Sequence, residues 1–207
     1  MISTFIAIAG GTGAGKSTVA FALQDKYPER IGIIHLDDWQ KHGERRVAVP
    51  VLDGVQNWDH PNAIEWNELI GDLKKLQAGK TVSIQSKNER LVKETERQVQ
   101  EQITPRLPLE IKPKTVMILE GYLSLWDSRV RAMLDDSIFL EAHHSIRLKR
   151  RTHFINSEYE TKILVPMHAQ YVEPTKKFAK HVIDVTNLIK EEVFKKVDTI
   201  VMAHFSS

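Results

Sequence analysis

The residues Gly10-Gly11-Thr12-Gly13-Ala14-Gly15-Lys16-Ser17 constrain this chain more than any others, because they fit the pattern G-x-x-x-x-G-K-[ST] without a mismatch. Their setting supports the pattern. The apolar run from Thr4 to Ala9 reads as a short buried strand, and Ser17 to Tyr27 repeats Val19, Ala20 and Leu23 at helical spacing until Pro28 stops it. A strand that turns through glycines into a helix aims backbone N–H groups inward, and the helix N-terminus adds about half an elementary positive charge. Such a turn cradles phosphate oxygens. Gly10 to Ser17, with Thr18 behind them, are therefore the expected nucleotide-binding residues. Lys16 would reach the β- and γ-phosphates, and the Ser17 hydroxyl would serve a magnesium ion.

Further apolar runs at Ile31–Leu36, Thr115–Leu119, Ser137–Leu140 and Val182–Val185 read as strands. Between them, Asn62 to Gln77 places Ile64, Leu69, Leu73 and Leu76 at helical spacing, and Asp127 can cap a helix carrying Val130, Met133 and Leu134. Strands alternating with helices imply an α/β fold, here a single domain over residues 1–207. The expectation is a mostly parallel sheet of about five strands flanked by helices, with ligands at the C-terminal strand ends. Ser86 to Pro113 breaks the pattern. It is rich in Glu, Arg, Lys and Gln, has Pro105, Pro108 and Pro113 near its end, and is expected to be a protruding, partly helical insertion.

Two acidic phrases sit at strand ends. Ile118-Leu119-Glu120-Gly121 makes Glu120 the expected second magnesium ligand. In His35-Leu36-Asp37-Asp38-Trp39, Asp37 is the expected general base for an attacking hydroxyl, and Asp38 the residue expected only to cap the following turn. The basic run Arg147-Leu148-Lys149-Arg150-Arg151 follows the fourth strand on a predicted helix. Such runs usually form a solvated face, but arginines on a mobile lid can neutralise a transferring phosphoryl group. Arg147, Arg150 and Arg151 are the candidates. Trp39 and Trp58 flank polar motifs and are expected to wall the pocket.

Composition excludes several classes. The chain has no cysteine, so disulfides and thiolate metal sites are ruled out, and its adjacent histidines, His143 and His144, cannot converge on one zinc ion. A net charge of +2 is too mild for a nucleic-acid-binding face. No apolar run approaches the roughly 20 residues needed to span a bilayer. The start of the chain lacks a basic segment before its apolar run, so a cytosolic protein is expected.

Several phrases together resemble the uridine kinase and phosphoribulokinase group. They are the glycine loop, Leu36-Asp37-Asp38-Trp39, Asn57-Trp58-Asp59-His60-Pro61, Leu119-Glu120-Gly121 and Tyr171-Val172-Glu173-Pro174-Thr175-Lys176-Lys177-Phe178. The Asn57–Pro61 phrase and the Glu173–Phe178 part of the last one are far more specific than the loop, and the resemblance covers most of the chain. It implies a P-loop NTPase-type kinase in which Asp37 is the base near a 5′-hydroxyl, Asp59 binds ribose hydroxyls, and Ser17 and Glu120 serve Mg²⁺. It also implies a substrate-binding insertion over about residues 40–114 and a short lid over about 147–170. The chain departs from the group in having Gln40 where an aromatic Tyr is usual, and in lacking the group's pyrimidine-recognition phrase within Val82–Arg90 and the R-D phrase of the lid.

The combined expectation is an enzyme that uses ATP and Mg²⁺ to phosphorylate a hydroxyl on a nucleoside-like small molecule. Nicotinamide riboside, pantothenate or another sugar-bearing metabolite are alternative acceptors, and a homo-oligomer is left open. A nucleotide-binding regulatory switch would share the loop, but the chain has no N-K-x-D phrase for guanine.

Overall fold

The computed structural model describes residues 3–87, 106–150 and 157–206. The five predicted strands form one sheet: β1 (Thr4–Gly10), β2 (Ile31–His35), β7 (Val116–Glu120), β8 (Asp136–Glu141) and β9 (His181–Asp184). Its order is β2-β7-β1-β8-β9, and every pairing is parallel. Parallel strands covered on both faces read as continuous apolar runs, which is why Phe5 to Ala9 are all fully buried.

The period of two along each strand divides the core into two layers. Phe5, Ala7, Ile34 and Leu119 face one side, where they meet Leu69, Leu73 and Leu76 of α2 (Trp66–Gln77). Ile6, Ile8, Ile118 and Ile138 face the other, where they meet Val19 and Leu23 of α1 (Lys16–Lys26) and Val197 and Val201 of α7 (Lys190–Met202). Truncating one such Leu to Ala would cost about 2–5 kcal/mol, so either layer is a substantial part of the fold's stability.

Residues between β2 and β7 do not follow the simple alternation. A small hairpin, β3 (Val51–Leu52) and β4 (Val55–Gln56), turns through Asp53 and Gly54, both with positive φ (50° and 77°), the conformation that an Asp-Gly turn accepts readily. Helix α2 starts later than its apolar spacing predicts. Ile64 is taken into an antiparallel bridge with Gln40, and the Glu65 amide donates to the Trp39 carbonyl, so this backbone is committed to pairing before the helix begins.

The flanks of the Ser86–Pro113 insertion are strands rather than helix: β5 (Val82–Ser86) pairs antiparallel with β6 (Leu107–Ile111). Residues 88–105, where a partly helical structure was expected, lie outside the described residues. Asp127 does cap a helix, accepting from the Arg129 amide at 2.8 Å, but that helix, α3 (Ser128–Arg131), is only four residues long.

After β8 come α4 (His144–Lys149) and a helix over residues 157–172 that alternates between two windings. It comprises α5 (Ser157–Tyr159), a π-helical stretch (Glu160–Leu164), α6 (Val165–Met167) and a second π-helical stretch (His168–Val172). Pro166 within it and Pro174 just beyond it cannot donate the i→i−4 bonds that a regular α-helix needs. Among the described residues no helix is long and apolar enough to cross a membrane.

Candidate active site

Strands β2, β7 and β1 end side by side, and their register sets the geometry of the site. Glu120 on β7 lies between Ile8 of β1 and His35 of β2. The glycine loop rises from β1. Gly13 has φ +82°, and a Cβ there would stand 2.2 Å from the Arg147 carbonyl oxygen, so only glycine fits. Helix α1 begins at Lys16 with Gly15 as its N-cap and no side chain capping its first amides. That end can therefore receive an anion.

Lys16 Nζ folds back to donate to the Gly11 carbonyl at 3.1 Å. Burial pulls its pKa below the usual lysine range, against the charges of Glu120, Asp37 and Asp59, which favour the ammonium. Ser17 Oγ donates to Glu120 Oε2 at 3.1 Å, and the other Glu120 oxygen meets His35 Nδ1 at 2.5 Å. Burial alone would push the Glu120 carboxyl up, but the His35 bond, the His35 and Lys16 charges and the Ser17 hydroxyl hold it below the usual range. The same pairing, outweighing burial, raises His35. An ionised carboxylate beside a hydroxyl is the hard oxygen donor set that Mg²⁺ takes, so Ser17 and Glu120 fit the ion.

Beside the loop, a second group of polar side chains is assembled from several segments. Asp37 is half-buried in the short turn Leu36–Trp39 that follows β2. It accepts from Gln40 Nε2 at 3.3 Å, while Gln40 Oε1 accepts from Lys87 Nζ at 2.6 Å. Asp59 accepts from the Tyr159 hydroxyl at 2.7 Å. Trp58 is half-buried, with its carbonyl on the Tyr122 hydroxyl at 2.6 Å and Arg46 over its ring at 5.5 Å. Burial, then the Asp59 and Asp37 charges, raises the Tyr122 phenol well above its usual value, so it remains a donor.

Other expectations are corrected. Asp38 caps no helix: it accepts from Ser86 Oγ at 2.9 Å and the Lys87 amide at 2.8 Å, tying β5 to the end of β2. Burial raises its carboxyl pKa, partly offset by the Lys87 amide. Trp39 is 4% exposed and belongs to the core, with its indole N–H on Asp72 Oδ2 at 3.1 Å. Arg150 turns from the loop and gives Nη2 to the carbonyls of Val185, Thr186 and Leu188, bracing the turn between β9 and α7. Arg151 lies outside the described residues. Arg147 lies against the loop, where it is buried and bonded to backbone, donating to the Ala142 carbonyl at 3.1 Å and to the Thr12 carbonyl at 3.4 Å.

Sequence reasoning missed three side chains here. His35 stands in the phrase already singled out for Asp37, and Tyr122 follows Glu120 by two residues, so proximity to a named motif was the available signal. His168 had none. Its Nε2 lies 3.3 Å from Glu173 Oε2, and burial, with help from the Arg147 charge, takes its pKa down to about 4.

Known proteins resemble this chain over most of its length. The model of the phosphoribulokinase / uridine kinase family matches residues 5–190. A uridine kinase of Halobacterium salinarum is 32% identical over 91% of this chain and 85% of its own length. A uridine kinase of Clostridium perfringens is 33% identical over 86% of each chain. Among solved structures, a possible uridine kinase from Bacillus stearothermophilus superposes with a TM-score of 0.62 at 15% identity, covering 89% of this chain and 90% of that one, a likeness of fold.

Proposed function

The chain belongs to the phosphoribulokinase / uridine kinase family of phosphotransferases with alcohol acceptors, and we propose that it transfers the γ-phosphoryl group of ATP to a hydroxyl of a nucleoside-like small molecule. The observation that carries this reading is geometric: Ser17 at the start of α1 bonds Glu120 at the end of β7, and Thr12 of the glycine loop lines the same cavity as Asp59.

In this mechanism the loop amides and Lys16 hold the triphosphate, and Asp37 orients the acceptor hydroxyl and takes its proton as the phosphoryl group moves in line. Mg²⁺, held by Ser17 and Glu120, would neutralise charge on the phosphate oxygens. Arg147 keeps the crest of the loop in shape from behind. Asp59 binds hydroxyls of the acceptor, for which it must exchange the Tyr159 hydroxyl. Catalysis of this kind is positioning and electrostatics, with little covalent work for the protein.

Asp37→Asn should lower kcat by about 10²–10⁴-fold, the range for loss of a general base. It should leave ATP binding and the melting temperature in place. Near-normal turnover by that variant would remove Asp37 from the base role. A panel of nucleosides, nicotinamide riboside, pantothenate and simple sugars, read by ADP release, identifies the acceptor. Failure of every nucleoside would sink the nucleoside-like class.

A further inference from the structure

Buried polar atoms without a hydrogen-bond partner are exceptions that call for a reason, since roughly 90% or more are paired. Among the described residues they are His35 Nε2, Asn57 Oδ1, His168 Nδ1 and Asp198 Oδ1. Of these residues only His168 lines the small cavity that also touches Thr12 of the glycine loop, Asp59 and Tyr122. That cavity lies between the crest of the phosphate loop and the acceptor carboxylate. The ring also lies close over the loop: a Cβ added at Gly11 would stand 2.8 Å from His168 Cε1. The carbon between the two ring nitrogens therefore faces the crest, while Nε2 is taken up by Glu173.

The position has a structural cause. His168 opens the second π-helical stretch, and Asn57 Nδ2 on Met167 Sδ (3.1 Å) and Tyr171 OH with His60 Nε2 (3.1 Å) fasten this helix to the segment that carries Asp59. With Nε2 directed to Glu173, Nδ1 is left as the polar atom free to serve a ligand. We infer that His168 makes the contact between the 157–172 helix and the terminal phosphate of a bound nucleoside triphosphate, donating from Nδ1 to a phosphoryl oxygen. This rests on the kinase reading above.

The charged and titratable groups facing the ring are Arg147 and His144 from α4 and Glu173 from the segment that follows; Asp59 and Tyr122 lie across the cavity. Without ligand, burial and Arg147 keep the imidazole neutral at pH 7, with a pKa of about 4. A triphosphate adds negative charge and an acceptor, and both favour the imidazolium. A diphosphate lacks the terminal group that Nδ1 would meet.

The test is a pH titration of the His168 ring carbon by NMR in the wild-type enzyme, alone, with Mg-ADP and with Mg-AMP-PNP. The expected result is a clear upward shift with AMP-PNP and a much smaller one with ADP. His168→Gln should lose about 10²-fold in kcat, the usual effect of removing one charge-stabilising donor. It should bind AMP-PNP more weakly and ADP as before, and His168→Arg should recover part of the loss. Equal titration in the two nucleotides, or unchanged AMP-PNP affinity in His168→Gln, overturns the inference while leaving the kinase reading standing. Failure of the wild-type enzyme to bind either nucleotide overturns both.

Discussion

The two halves of the cleft are built by different means. On the phosphate side, Gly10 to Ser17 are contiguous in sequence, and Glu120 and His35 face each other because strands β7 and β2 are in register. On the proposed acceptor side, Asp37 with Gln40, and Asp59, Tyr122, Lys87 and Tyr159, come from segments apart in sequence that side-chain hydrogen bonds join. The first half inherits its precision from the buried sheet. The second holds together through bonds that a ligand can exchange, a sensible division in a family whose donor site is shared and whose acceptors differ.

Lys16→Ala attacks the rigid half and should have a larger effect than a change at any of the joints between segments. A loss of about 10²–10³-fold in kcat/KM is expected, with a melting temperature close to wild type because the ammonium anchors only a loop carbonyl. A large drop in melting temperature would mean that the phosphate side depends on Lys16 for its shape.

Asp38→Ala tests the joint between the halves. It leaves Ser86 Oγ and the Lys87 amide without their buried acceptor, which should cost about 1–3 kcal/mol in a denaturant titration and raise KM for the acceptor more than for ATP. Equal changes in the two KM values would deny that the β5–β6 hairpin belongs to the acceptor side.

Tyr171→Phe removes one fastening of the 157–172 helix, the bond to His60, and should cost about 0.5–1.5 kcal/mol with a modest change in acceptor KM. Lys162→Ala sits on the same helix but loses only an exposed pair with Glu158. It should leave both the melting temperature and kinetics at wild-type values, and a measurable kinetic change would show that the outer face of this helix matters too.

The places where sequence reading erred follow the same division. The five strands, the loop and the strand-end carboxylate are local patterns: an apolar run, a glycine spacing, an acid at a boundary. Trp39 and Asp38 were misread because the short turn after β2 sends one side chain into the core and the other toward β5, and nothing in the neighbouring residues announces those partners. Arg147 and Arg150, three positions apart on one basic run, part company because Arg150 finds three carbonyls of the turn between β9 and α7.

By itself, then, the order of residues determined the class of fold, the position of the glycine loop and the acids at the neighbouring strand ends, because those depend on backbone conformation and on periods of two and 3.6 that neighbouring residues impose. Only the tertiary structure decided which arginine attends the loop, which tryptophan is core, and that His168 leans over Gly11 with one nitrogen unpaired. Those outcomes turn on contacts between segments far apart in the chain, where competing hydrogen-bond partners and burial, not local propensity, select the winner.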